Sequence, residues 1–199
     1  MASSDIRILA EPLTSNSCRF TVDRPVHADA SFYFPDKERA TDSPLASRIF
    51  AIEGVSSVLI AHDQVTVTKS GADDWQVVGR KVGAAIREHL ATGLPAVPES
   101  LRATLPPPEE IRRRVEDLLE TEVNPGVAGH GGFVRLVDVR GNDVFIQMGG
   151  GCQGCGMAAL TLKYGVEAAI RRRVPEVGGI YDATDHASGR NPYFASSEG

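Results

Sequence analysis

Apolar residues recur at helical spacing in three long stretches of this chain and alternate with polar ones in most of the rest. Trp75, Val78, Val82, Ile86, His89 and Leu90 share one side of a helix that Asp73 or Asp74 can cap. Ile111, Val115, Leu118, Leu119 and Val123 repeat at i, i+4, i+7, i+8 and i+12, with Glu109 and Glu110 in the first turn, where the helix dipole favours them. Leu162, Val166, Ala169, Ile170 and Val174 repeat the same spacing. A shorter helix opens at Ser43-Pro44 and buries Leu45, Ile49 and Phe50. Asn124-Pro125-Gly126 is expected to stop the second long helix and Pro175 the third. His89 is expected at the edge of its stripe, near a helix C-terminus that tolerates positive charge.

Alternating or β-branched runs predict strands at residues 6–9, 18–22, 30–34, 55–61, 65–68, 133–139, 144–148 and 177–181. His62-Asp63-Gln64 joins two of these as a hairpin, and Gly141-Asn142 joins another pair. Strict alternation in 133–139 puts Phe133, Arg135, Val137 and Val139 on one side, opposite Val134, Leu136 and Asp138.

Between the two halves the pattern breaks. Pro95, Pro98, Pro106, Pro107 and Pro108 fall close together, which predicts a partly stiff linker without a helix of its own. The expected organisation is a first domain at 1–93, a Pro-rich linker at 94–108, a second domain at 109–184 and a polar tail at 185–199. Both domains read as small α+β layers, each a sheet covered on one face by helices.

Charge adds an exclusion. Ten basic side chains face twelve acidic ones through residue 93, and eleven face fourteen after it. Neither half is a basic arm, so nucleic acid is not the expected partner. The triplets Arg112-Arg113-Arg114 and Arg171-Arg172-Arg173 fall inside helical patterns as solvated faces. No apolar run approaches the roughly 20 residues of a membrane span. The first residues lack a signal-peptide or transit pattern. Three cysteines do not suit a disulfide scaffold. The expected setting is therefore reducing and cytoplasmic.

The candidate chemistry sits in Gly149-Gly-Gly-Cys152-Gln-Gly-Cys155-Gly-Met157, five glycines and two thiols in nine residues. Glycines let the backbone approach the sulfurs and aim N–H groups at them. The helix start behind the loop favours thiolate. Cys152 and Cys155 thus form a dithiolate ligand pair, and three uses are open to it. An iron–sulfur cluster of the cubane type usually takes four thiolates, which two copies of the loop supply and one does not. Structural zinc would need two more ligands, and His130 and His186 lack the usual spacing. A dithiol/disulfide oxidoreductase shares the order strand, C-x-x-C, helix. Cys18 reads as a half-buried strand residue, and nothing else in the chain has the pattern of a catalytic motif.

The runs Val123-Asn-Pro-Gly-Val-Ala-Gly-His-Gly-Gly132, Val134-Arg-Leu-Val-Asp-Val139, Gly149-Gly-Gly-Cys-Gln-Gly-Cys155 and Thr161-Leu-Lys-Tyr-Gly-Val-Glu-Ala168 together resemble the NifU-like C-terminal domain of the NifU/Nfu family. The ending Asp185-His-Ala-Ser-Gly-Arg-Asn-Pro-Tyr193 looks most like the bacterial NfuA-type branch. The first half is similar to the Nfu N-terminal domain through Thr14-Ser-Asn-Ser-Cys-Arg-Phe20 and Ser43-Pro-Leu-Ala-Ser-Arg-Ile-Phe50. The resemblance implies a non-enzymatic iron–sulfur cluster scaffold and carrier. In that reading Cys152 and Cys155 of two subunits ligate one [4Fe-4S] cluster in a homodimer, which receives it from assembly proteins and passes it to apo-proteins. The first domain is then expected to help recognise clients. His130 stands where many relatives have another residue in the Gly-Gly turn, and Gly156 stands where many have proline.

Overall fold

The computed structural model describes residues 6–129, 131–150 and 156–183, with the backbone alone for 150 and 156–162. The chain forms two compact units, Met1–Leu105 and Pro106–Gly199. Both are of mixed α+β construction.

In the first unit, β1 (Ile8–Pro12), β2 (Ser17–Val22), β3 (His27–Phe34), β4 (Val55–His62) and β5 (Gln64–Lys69) make an antiparallel sheet of order β1-β2-β5-β4-β3. The first strand lies further along than the pattern at 6–9 predicts. Pro12 is tolerated as its last residue because β1 is an edge strand and needs no donor there. The β4–β5 hairpin turns through His62 at φ 52° and Asp63, since Ala61 pairs with Gln64. Helix α1 (Pro44–Phe50) starts as expected: Ser43 Oγ accepts from Ala46 N at 3.2 Å. Asp74 caps α2 (Trp75–Ala91) by accepting from Gln76 N at 2.9 Å. Phe20, Leu45, Ile49, Ile60, Val65, Val82 and Ile86 fill the core.

Two expectations fail in this unit. His89 is not at the stripe's edge. It is 1 % exposed, inside the core-facing row, and burial pushes its pKa down, so the neutral ring is favoured. The proline-rich stretch is also more than a linker. Ala96 and Val97 are buried, and Ala96 O accepts from Ser43 Oγ at 2.8 Å and from Leu45 N at 3.3 Å. A single helical turn, α3 (Glu99–Arg102), follows, and Leu101 and Leu105 pack against the core. The prolines frame this turn instead of forbidding it: Pro98 precedes the first helical residue and Pro106 follows the last contact, where neither ring opposes a helical hydrogen bond.

The second unit opens with α4 (Pro108–Leu118), whose Ile111, Val115 and Leu118 are buried. Asn124-Pro125-Gly126 does not stop it. A π-helical turn, Leu119–Val123, widens the helix, and α5 (Asn124–Ala128) continues beyond it with Pro125 in its first turn. The change of pitch puts proline where its missing N–H leaves no gap in the ladder. Strands β6 (Gly132–Arg140) and β7 (Asp143–Gly150) form an antiparallel hairpin. After α6 (Gly156–Arg173), β8 (Ile180–Asp182) returns parallel to β7, giving the order β6-β7-β8. Val144, Ile146 and Met148 of β7 meet Ile111, Val115, Val166 and Ile170 in the core.

Strict alternation breaks in β6. Leu136 pairs with Ile146 and Asp138 with Phe145, so Val137 is an extra, bulged residue. The bulge flips the parity after it. Val139 joins Val134 in the core, although an unbroken strand would place it with Phe133.

Candidate functional site

The site predicted from the sequence, Cys152 and Cys155, lies outside the described residues, as do His130 and His186. What is described is the frame that holds the loop at both ends. Gly150 is the last residue of β7 and pairs with Gly132 of β6. Gly156 is the first residue of α6. In sequence, Cys152 and Cys155 fall between the last residue of β7 and the first of α6. The first N–H groups of α6 have no partner within the helix and carry its positive end.

Several residues fix this frame. Asn124 clamps the β6 backbone with both ends of its side chain: its Oδ1 accepts from Val134 N at 2.8 Å and its Nδ2 donates to Val134 O at 3.0 Å. The sequence reading treats Asn124 only as part of a helix stop, because a clamp ten residues away leaves no periodic signal. Gly131 adopts φ 66° between α5 and β6, and its N–H donates to Ala128 O at 2.9 Å. At the other end of the sheet, the buried Asp143 accepts from Gly179 N at 2.5 Å, and Asn142 Nδ2 donates to Glu176 O at 2.9 Å. These bonds tie the β6–β7 turn to the segment between α6 and β8.

One glycine of the collar has a different task from the expected one. Phe133 pairs with Gly149 across the hairpin, and a Cβ built on Gly149 would overlap the edge of the Phe133 ring. Gly149 is therefore the seat of an aromatic ring that remains 46 % exposed beside the strand end leading to the cysteines. Sequence reasoning gave Phe133 a side of its strand but not this seat on Gly149. The alternation set it opposite Val134 and Leu136 without saying which side faces the helices. Further along the Phe133 side, Phe145 stacks on Tyr181 at 5.3 Å, under the Arg140 guanidinium at 5.1 Å.

Two carboxyls of the second unit are shifted. The Arg140 side-chain hydrogen bond leads in holding the Asp138 carboxyl below its usual range, with Arg112 adding to it. On α6, burial pushes Glu167 up, opposed by Lys163 and Arg171. In the first unit, Cys18 is 2 % exposed and burial pushes its thiol up to about 11, so it stays a neutral core residue. Among the described residues no group of three or more His, Cys, Asp or Glu side chains is placed to hold a metal ion, and no helix is long and apolar enough to cross a membrane.

Comparison with known proteins matches both units. The model of the scaffold protein Nfu/NifU N-terminal domain matches residues 11–93, and that of the NifU-like domain matches residues 115–181. The human mitochondrial protein described as NFU1 iron-sulfur cluster scaffold homolog is 33% identical over 177 residues, covering 87% of this chain and 70% of its own length. The Fe/S biogenesis protein NfuA of Pseudomonas aeruginosa is 51% identical over 85 residues. That match covers 42% of this chain and 44% of the relative, so the chain aligns with less than half of it. The solution structure of a NifU-like protein from Saccharomyces cerevisiae matches 46% of this chain and 84% of its own, at 21% identity and a TM-score of 0.39.

Proposed function

Because this chain belongs to the NifU/Nfu family of iron–sulfur cluster scaffold proteins, we propose that it holds an iron–sulfur cluster at Cys152 and Cys155 and passes it to apo-proteins. The observation that carries the reading is the pairing of two thiols with this frame. They sit on a five-residue connection between a paired strand end and the start of an 18-residue helix. Such a connection offers backbone N–H groups and a positive helix end to sulfur.

The donor count sets the stoichiometry. Cys18 is a neutral thiol buried in the other unit, which leaves two thiolates per chain. A [4Fe-4S] cluster takes four, so we assign it to two copies of the loop in a homodimer. A cluster held at a seam by few protein ligands is open to an incoming thiolate, and that suits a carrier. The cluster is cargo here, and the chain acts by binding and releasing it without turnover of its own. We assign the second unit to cluster binding, the first to partner recognition, and the protein to a reducing, cytoplasmic setting. The family match does not favour zinc or dithiol redox chemistry at the same cysteines.

Anaerobic reconstitution with iron and sulfide, followed by size-exclusion chromatography with light scattering and iron counting, tests this. The expected product is a coloured dimer with about four iron per two chains. Cys152→Ala and Cys155→Ala are each expected to lose the cluster and leave the fold intact by circular dichroism. Full iron retention in either variant would refute the assignment.

A further inference from the structure

A groove of about 330 Å³ lies in the first unit between α2 and the edge strand β1. Ile8, Ala10, Phe20, Trp75 and Gly79 give it an apolar floor, and Arg80 and Arg87 stand at its rim. It is open because α2 carries glycine at positions 79 and 83, one turn apart on the side facing the strand. Neither Arg80 nor Arg87 has a carboxylate partner among the described residues; Arg87 Nε donates to Ile6 O at 3.0 Å.

Among the described residues nothing pairs with the outer edge of the strand beside the groove. Arg7 O accepts from Asp23 N and Leu13 N donates to Ser17 O, so the odd-numbered residues of β1 bond to β2. By antiparallel alternation Ile8 and Ala10 turn their N–H and C=O groups outward. Their side chains face the same way as their cross-strand partners Val22 and Phe20, toward the helices. An added strand would therefore hydrogen-bond to Ile8 and Ala10 and drop every second side chain into the groove.

We propose that this groove binds an extended acidic segment of a partner protein as a sixth strand on β1, with an apolar side chain on the Phe20–Trp75–Gly79 floor and a carboxylate two residues away against Arg80 and Arg87. Three independent features select that occupant: an open sheet edge selects extended backbone, the floor selects an apolar side chain, and two arginines with no carboxylate partner among the described residues select negative charge. The site goes beyond cluster binding and does not depend on it.

The test uses the full-length, cluster-free chain and a labelled peptide, acetyl-Ser-Thr-Phe-Thr-Glu-Thr-Ser-amide, with a twin carrying Lys in place of Glu. Binding is read as amide shifts in a ¹⁵N spectrum and as a Kd from fluorescence anisotropy. The Glu peptide is expected to shift Ile8, Ala10, Gly79 and the Trp75 indole, and to bind at least about tenfold tighter than the Lys peptide. Arg80→Glu is expected to reverse that order, a charge swap that a merely unfolded variant would not give. Gly79→Leu should fill the floor and abolish both, because an added Cβ there meets only the Phe20 ring at 3.8 Å and leaves the helix unstrained. Equal affinity for the two peptides, or no shift at Ile8 and Ala10 at millimolar peptide, overturns the proposal. So does a concentration-dependent dimer of the unmodified chain that Arg80→Glu abolishes, which would give the groove to a second copy.

Discussion

Replacing Gly149 by alanine separates two tasks of the glycine collar. In a strand, alanine for glycine ordinarily gains about 0.5–1 kcal/mol. Here the new Cβ would overlap the edge of the Phe133 ring, so the ring must leave its seat. A fully buried phenylalanine removes about 150–250 Å² from water. At 46 % exposure Phe133 removes roughly half of that, about 100 Å². At about 25 cal/mol per Å² its displacement costs about 2.5 kcal/mol, or about 1.5–2 kcal/mol against a compact unfolded chain. Set against the ordinary alanine gain, Gly149→Ala alone is therefore expected to destabilise the second unit by about 0.5–1.5 kcal/mol. In a Phe133→Ala background the same change should turn neutral or stabilising by up to about 1 kcal/mol. Urea unfolding followed by amide exchange of Val144 and Ile146 reads the second unit. The single tryptophan, Trp75, lies in the first unit, so its fluorescence is an internal control that should not move. Additive effects of the two substitutions within about 0.5 kcal/mol would show that the ring does not rest on Gly149 and refute the reasoning.

Three further outcomes follow from titratable groups that desolvation shifts. The Glu167 pKa is raised by burial, so the charged form is the strained one in the fold, and its contribution to stability is lost as pH rises through the folded pKa. Glu167→Gln should raise the Tm of the second unit at pH 7–8 and leave it unchanged well below the ordinary value of 4.5; a gain independent of pH would contradict this. His89 has a lowered pKa, so its neutral form stabilises the first unit above the ordinary value of 6.5 and that stability is lost as pH falls below it. His89→Leu should flatten the acid side of the Trp75-detected pH–Tm curve; an unchanged acid slope would show that another group causes it. Cys18, with its pKa pushed up to about 11, should resist iodoacetamide at pH 8 while Cys152 and Cys155 are alkylated, as peptide mapping by mass spectrometry would read. Labelling of Cys18 as fast as the other two would contradict its burial.

Elements with a local cause were legible in the chain. Ser43-Pro44 and Asp74 start their helices wherever the rest of the protein lies, because a cap is satisfied within three residues. The buried rows of α2, α4 and α6 follow from a 3.6-residue period, and the β4–β5 hairpin from two β-branched runs around a short turn. The two cysteines in a glycine-rich loop, and the motif set around them, also identified the family from residues alone.

What the chain did not disclose depends on neighbours distant in sequence. Ala96 and Val97 are buried because Ser43 and Leu45 offer donors to a carbonyl some fifty residues away, which outweighs the extended bias of the surrounding prolines. Pro125 continues a helix because a π turn before it changes the pitch. Val139 reaches the core because Val137 bulges out of a strand whose composition gives no sign of it. Gly149 reads as room for a sulfur until the pairing of β6 with β7 sets Phe133 on top of it. Periodicity and caps are short-range properties and are written in the sequence, whereas register, bulges and ring seats are settled only when a second strand supplies the other half of each contact.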